Sequence, residues 1–312
     1  MVVKLFKLFL NKQFYILCLL LFITGCNSTT EESNSSIKES SARTEIGYSF
    51  GMLHKSSIDE YQTYYEINSR DNKFVPEIMI DNQIDKPYTY RIFALKNYTQ
   101  QSVGFENQKQ PYIDIKLQPF EKKVFNITLD IDKGSNDIVI ICIRNPNRIL
   151  TEDQYVPPEG VYALRRAVVI NQSTSFNSMT DKQFKSIPVY EKSTTDDGSV
   201  LAPHVLLDGD TELRTLIPNS YTGSLNLRMG NEEPKTRYAI FSILGDTIFA
   251  IKYPFIQVDE PGNVNLDLID LPLDKKQLNK NLIIGIIENP FILDSEQIAY
   301  SDNRFVNVIT LK

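Results

Sequence analysis

Histidine and cysteine are nearly missing from this chain, and each shortage removes a class of chemistry. There are 2 histidines and 3 cysteines among 312 residues. His54 and His204 stand far apart in sequence, whereas zinc sites gather several His or Cys ligands at close spacing. A Ser-His-Asp or Cys-His arrangement needs a histidine beside its nucleophile, and no Gly-x-Ser-x-Gly elbow occurs. Cys18 and Cys26 lie near the start, so Cys142 is alone in the remainder and no disulfide can form there. Cys142 sits within Ile138-Val139-Ile140-Ile141-Cys142-Ile143, a setting for a small buried hydrophobe that offers a thiolate no polar support. Tryptophan is absent. An excess of positive charge is also missing: the net charge is −6 and the basic residues are scattered, which argues against a nucleic-acid partner. Nothing in the sequence calls for a cofactor.

What the chain does contain is enough apolar material for real cores. The hydrophobic fraction is 42%, with 17 Phe and 16 Tyr, and the length suits about two domains of ~150 residues. The N-terminal stretch reads as an address. Lys4, Lys7 and Lys12 precede an apolar run from Phe14 to Ile23 that is too short to cross a ~30 Å hydrocarbon core. Basic start, short apolar run and small-residue site make up a secretory signal over residues 1–25. Its ending, Ile23-Thr24-Gly25-Cys26, resembles the lipobox of bacterial lipoproteins. The resemblance implies that the Cys26 thiol carries a diacylglycerol anchor and that Cys26 becomes the new N-terminus. The remainder is then expected at the extracytoplasmic face of the cell membrane. Residues 26–44 follow as a tether of Ser, Thr, Asn and Glu with almost no apolar content, too poor in buriable surface to fold. A flexible leash of that length reaches about 20 Å.

Beyond the tether the chain resembles itself. Pro87-Tyr88-Thr89-Tyr90-Arg91-Ile92-Phe93-Ala94-Leu95 matches Pro234-Lys235-Thr236-Arg237-Tyr238-Ala239-Ile240-Phe241-Ser242-Ile243, with one residue inserted. Upstream, Ile78-Met79-Ile80 matches Leu225-Asn226-Leu227; downstream, Ile140–Pro146 matches Ile284–Pro290, both ending in Asn-Pro. Last, Arg165–Ile170 matches Arg304–Ile309. The order is kept at an offset of roughly 140–150 residues, far longer than a ~20–50-residue solenoid repeat, so the pattern indicates a duplicated domain.

Each copy reads as β. Ile113–Gln118, Phe125–Asp130 and Val264–Leu268 alternate apolar and polar, as half-buried strands do. Ile138–Ile143 and Leu282–Ile287 are continuous apolar runs, expected of strands in the middle of a sandwich. Turn signals such as Asp132-Lys133-Gly134, Pro261-Gly262 and the two Asn-Pro pairs separate them. The expected fold is all-β: two tandem immunoglobulin-like antiparallel β-sandwiches over residues 45–172 and 200–312, joined by a linker over 173–199. A single helical turn is expected from Thr180 to Ile187.

Three constellations are candidates for function. Tyr61, Tyr64 and Tyr65 form the densest aromatic cluster; amphipathic rings beside carboxylates suit sugar or peptide binding, and equally suit a half-buried strand. Asp130, Asp132 and Asp137 around Gly134, and Asp208, Asp210 and Glu212 around Gly209, offer calcium oxygens, yet Asp and Gly are also what tight turns require. Cys26 is the lipidation site. The chain is therefore expected to be a non-enzymatic binding module, held at the membrane by lipid and facing a protein, peptide or cell-wall partner. Alternatives are an accessory or immunity-type lipoprotein that intercepts a toxin or peptide, the substrate-binding lipoprotein of an ABC importer, or a wall-active hydrolase. The importer reading lacks strand–helix alternation and the hydrolase reading lacks a catalytic motif.

Overall fold

The computed structural model describes residues 47–53, 63–151, 161–172, 184–192, 201–210, 213–218, 220–270, 278–291, 303–306 and 308–312. In the first half, strands Tyr48–Leu53, Glu77–Asn82 and Lys122–Asn126 make a three-stranded antiparallel sheet. Facing it is a sheet ordered Tyr64–Ile67, Tyr162–Asn171, Gly134–Arg144, Tyr88–Lys96, Thr99–Gln101, with Ile113–Leu117 also paired to Tyr88–Lys96. The second half repeats the plan. Glu191–Lys192, Gly262–Asp270, Ser224–Asn231 and His204–Leu207 form one sheet, and Thr236–Leu244 and Lys280–Glu288 are the centre of the other. The sandwiches are antiparallel except at three short pairings: Tyr64–Ile67, Lys185–Ile187 and Leu216–Ile217 each run parallel to their neighbour. Residues 185–187 are thus a strand rather than a helical turn, because Ile187 is drawn into the core beside Val258; residues 180–183 fall outside the described set.

The predicted alternation is observed. Ile113, Ile115 and Leu117 are buried while Asp114 and Lys116 face water, and Glu77–Asn82 alternates in the same way. The continuous apolar runs have a specific cause, since successive side chains point to opposite faces of a strand. Ile92, Ala94, Ile138, Ile140 and Cys142 enter the core of the first sandwich. Their neighbours Phe93, Leu95, Val139, Ile141 and Ile143 enter a third apolar layer, shared with Ala239, Phe241, Ile243, Ile283 and Ile287 of the second half. Ile240, Ile284 and Ile286 meanwhile fill the core of the second sandwich. A strand buried on both faces has no position for a polar side chain, which explains the unbroken runs. At ~1.5–3 kcal/mol per large side chain, the gross burial in the shared layer exceeds a domain's whole net stability of ~5–15 kcal/mol. The two sandwich cores have no residue in common, but the layer between them belongs to both.

A polar latch closes that layer. Asp137 accepts hydrogen bonds from Arg166 Nε (2.9 Å) and Nη2 (2.8 Å), from the Tyr98 hydroxyl (3.0 Å) and from the backbone N–H of Phe291 (2.9 Å) in the other half. Burial alone disfavours the Arg166 charge, and the Asp137 carboxylate more than offsets it. Tyr98 and Phe291 both adopt left-handed backbone (φ 65° and 62°) and meet edge to face at 5.1 Å. Such conformations are costly for bulky residues and persist when surrounding contacts over-determine them.

The duplication is visible bond by bond. Phe93 pairs with Ile141 as Phe241 pairs with Gly285. The Asn145 N–H donates to Thr89 O (2.7 Å) as the Asn289 N–H donates to Arg237 O (2.8 Å). The Tyr90 hydroxyl donates to buried Asn82 Oδ1 (2.9 Å) as Tyr238 donates to buried Asn231 Oδ1 (2.8 Å). That last equivalence corrects the register upstream: Ile80 corresponds to Met229 and Ile78 to Leu227, two residues along from the sequence match. A slip of two preserves which face each side chain occupies, so apolar pattern alone does not detect it. The last matched segment is slipped as well, since Arg165 lies opposite Ile140 whereas Arg304 lies opposite Ile286.

Candidate functional site

The residues singled out by sequence do not converge on one site. Tyr65 is buried at 1% exposure and packs on Phe74 (5.6 Å), whereas the adjacent Tyr64 points outward and hydrogen-bonds Glu66. Desolvation, then the Glu66 carboxylate, push the Tyr64 hydroxyl up to about 12. Tyr65 enters the core while Tyr64 is half-buried on the opposite face against Val168 and Ile170, so they share no face; Tyr61 lies outside the described residues. Asp130 is engaged by Lys109 (2.5 Å) and Lys73, which hold its carboxyl below the usual range. Asp132 pairs with Lys96 (2.9 Å), and Asp137 is in the buried latch. Asp208 accepts from Asn226 Nδ2 (3.2 Å) and Asp210 pairs with Arg214 (2.7 Å); Glu212 is outside the described residues. Gly134 and Gly209 take φ of 89° and 80°, as turn glycines do. Among the described residues no three metal-capable side chains come together. Cys142 has no exposure, and burial raises its thiol far above its ordinary value. His204 is held by Nδ1 at 2.8 Å from Ala202 O. Cys26 and His54 lie outside the described residues.

The structure places a different feature where the halves meet. Strand Gly134–Arg144 ends at Asn145-Pro146, with Asn145 in left-handed backbone (φ 53°) and the Arg148 N–H closing the turn on Asn145 O (3.0 Å). Proline cannot extend the ladder and asparagine tolerates the reversal, so the turn presents Arg144 and Arg148 on either side of it. Both line a cavity of about 70 Å³, together with Tyr88, Tyr162 and, from the second half, Gly245 and Asn281. Asn281 is fixed there: its Nδ2 donates to Arg148 O and its Oδ1 accepts from the Thr310 hydroxyl (2.6 Å). The Arg144 guanidinium lies 5.1 Å from the centroid of the Tyr88 ring. Its Nη1 is buried and makes no hydrogen bond. Among the described residues neither arginine forms a salt bridge, and no carboxylate lines the cavity. In a chain of net charge −6 this is a local concentration of positive charge.

The second half bears a cleft at its own corresponding strand end, with the opposite character. It measures about 300 Å³ and is lined by Glu232, Glu233, Thr236, Tyr238, Glu288, Asn289 and Arg304. Glu288 occupies the position before Asn-Pro that Arg144 occupies in the first copy. The scaffold was repeated; the charge at its tip was not.

No family model and no curated protein matches the chain. Solved structures similar to it include the CARDB domain of a Pyrococcus furiosus protein in complex with di-metal ions, at 15% identity over 41% of this chain and 97% of that one, TM-score 0.25. Red sea bream transglutaminase is similar at 9% identity over 85% of this chain and 31% of its own length, TM-score 0.23. The CsuC–CsuE chaperone–tip adhesion subunit complex of Acinetobacter baumannii is similar at 11% identity over 85% and 99%, TM-score 0.23. With TM-scores of 0.25 and below, the reading of the site rests on its own geometry.

Proposed function

We propose that this protein is a non-enzymatic binding module, anchored by lipid at the extracytoplasmic face of the membrane, and that it takes its ligand in the cleft between its halves. The observation that carries the ligand site is the buried Arg144 Nη1 without a hydrogen bond, in a cavity with no carboxylate among its described lining residues. Buried polar groups in folded proteins are nearly always satisfied, and one aimed into a cavity is a donor awaiting an acceptor. Among the described residues the lining contains no histidine, cysteine, serine or carboxylate to act as nucleophile or general base. The anchor is supported by Ile23-Thr24-Gly25-Cys26 after its short apolar run. Two acyl chains hold a protein on a membrane where a single one binds only marginally. In membranes fractionated from cells that express the Cys26→Ala variant, the protein is expected in the soluble fraction or at precursor size. Recovery of the variant on the membrane at mature size would refute the anchor.

A further inference from the structure

Building on the cleft as the ligand site, we infer that the group it recognises is a single carboxylate carried on a short apolar body. The charge requirement follows from the lining. Among the described residues, Arg144 and Arg148 are its only ionisable ones apart from two tyrosines, and they stand on one turn with Arg144 half-buried and Arg148 exposed at the rim. Arginine is a planar fork whose paired N–H groups match the two oxygens of a carboxylate. The Tyr88 ring orients that fork, leaving the buried Nη1 as an unused donor.

The choice between anions follows from the other walls. Ile143, Leu150, Val161, Ile283 and Val308 supply the rest of the lining. A phosphate buried there would keep at least one oxygen against hydrocarbon without a donor, which is unfavourable. A carboxylate has two oxygens to satisfy and an alkyl tail to place on these side chains. The volume limits the tail: about 70 Å³ accommodates only a few water-sized groups, at the ~10–15 Å³ that one requires. A short-chain acid, or a chain end that bears an aliphatic side chain and a free carboxylate, fits both limits.

The test titrates the full mature chain, in detergent, with butyrate, with butyramide (the same body without the charge) and with inorganic phosphate. Heat of binding, melting temperature and the amide resonances of Gly245 and Asn281 are followed. Butyrate is expected to bind saturably at millimolar concentration and to shift both resonances. Butyramide and phosphate are expected to bind about tenfold more weakly or not at all, as suits the loss of one charge-assisted hydrogen bond. Arg144→Gln should weaken butyrate about tenfold with a melting temperature equal to or above that of the unaltered chain, and Arg148→Gln, at the rim, by a smaller factor. If Arg144→Gln does not fold, the Arg148→Gln titration decides, and equal butyrate binding by that variant and the unaltered chain overturns the inference. Equal binding of butyrate and butyramide at these resonances, or tighter binding of phosphate, overturns the carboxylate while leaving the cleft as the ligand site. No perturbation by any of the three overturns both.

Discussion

Replacing Asp137 with alanine removes the acceptor on which both halves converge. Its carboxylate is 1% exposed at residue level and takes hydrogen bonds from Arg166, Tyr98 and the Phe291 N–H. Removing one member of a buried ion pair costs ~3–5 kcal/mol, because the remaining charge stays desolvated. The Tyr98 hydroxyl and the Phe291 N–H then lose their acceptor, at ~1–3 kcal/mol for each donor left unsatisfied. These terms overlap, since local relaxation serves all of them, so a total of about 5 kcal/mol is the working figure. With a urea slope of ~2–3 kcal/mol per molar, the midpoint should fall by about 2 M. Urea unfolding followed by far-ultraviolet circular dichroism reads this directly. Arg166→Met combined with Asp137→Leu should recover part of the loss, because an apolar pair leaves no buried charge, though the Asp137 acceptor of the Tyr98 hydroxyl and the Phe291 N–H stays lost. A loss below about 1 kcal/mol for Asp137→Ala would show that the latch is decorative. A double variant as unstable as the sum of the singles would show that the pair is not coupled.

Other expectations follow from single contacts. Tyr238→Phe leaves buried Asn231 Oδ1 without its phenol and should cost ~1–3 kcal/mol. Tyr90→Phe should cost less, because Asn82 Oδ1 keeps a long contact from the Ile84 N–H (3.4 Å); equal or reversed losses in thermal melts would contradict the assignment. Asp130 has its carboxyl depressed by Lys109 and Lys73, so its contribution is present above the ordinary value of 3.8 and is lost as pH falls through its lower folded value. The pairs are exposed, so the contribution stays under about 1 kcal/mol; a carboxyl NMR titration should place the Asp130 midpoint below 3.8, and Lys109→Ala should raise it. A chain limited to residues 195–312 should bind a hydrophobic dye and self-associate on size exclusion, since Phe241, Ile243, Ile283 and Ile287 lose their cover; a monodisperse, dye-silent monomer would show the shared layer to be dispensable.

The all-β architecture was legible because strand period and turn chemistry agree locally. Asp114 and Lys116 alternate with buried neighbours, and Asn145 and Asn289 stop equivalent strands. The shared layer was also written in the sequence, as runs with no polar position, although a run of that kind does not say what covers the second face. The same run suits a strand in the middle of a sandwich; what it does not disclose is that its second face meets the other half. The residues that close the layer lie far apart in sequence: Asp137 near the start of strand Gly134–Arg144, Tyr98 and Phe291 on two separate turns. Only the tertiary pairing brings them within hydrogen-bonding distance, so no local period reports them. In sequence, Asp137 is therefore indistinguishable from one more carboxylate of an acidic turn.

The cleft was hidden for a related reason, and the duplication shows which signal marked it. Both Asn-Pro pairs were visible as strand stops, and a stop needs only those two residues. The residue before the stop is free of that duty, and there the copies differ: Arg144 in one, Glu288 in the other. Positions required by the fold kept their character through duplication, as Tyr90 with Asn82 and Tyr238 with Asn231 show. A charge that reverses sign beside such fixed positions is not set by folding, because either sign is compatible with the same strand end. What distinguishes the first copy is that its charge lies beside Tyr88 in a cavity that Asn281 of the other half also lines, with one nitrogen left unbonded. Desolvating a guanidinium nitrogen without a partner opposes folding. Substituting Arg144 with the Glu of the second copy tests whether that cost serves binding. Arg144→Glu should leave the sandwich intact, because Glu288 is accommodated at the equivalent place, and should abolish butyrate uptake through repulsion. Unfolding of the first half by this substitution would mean that the arginine is there to hold the corner and not to meet a ligand.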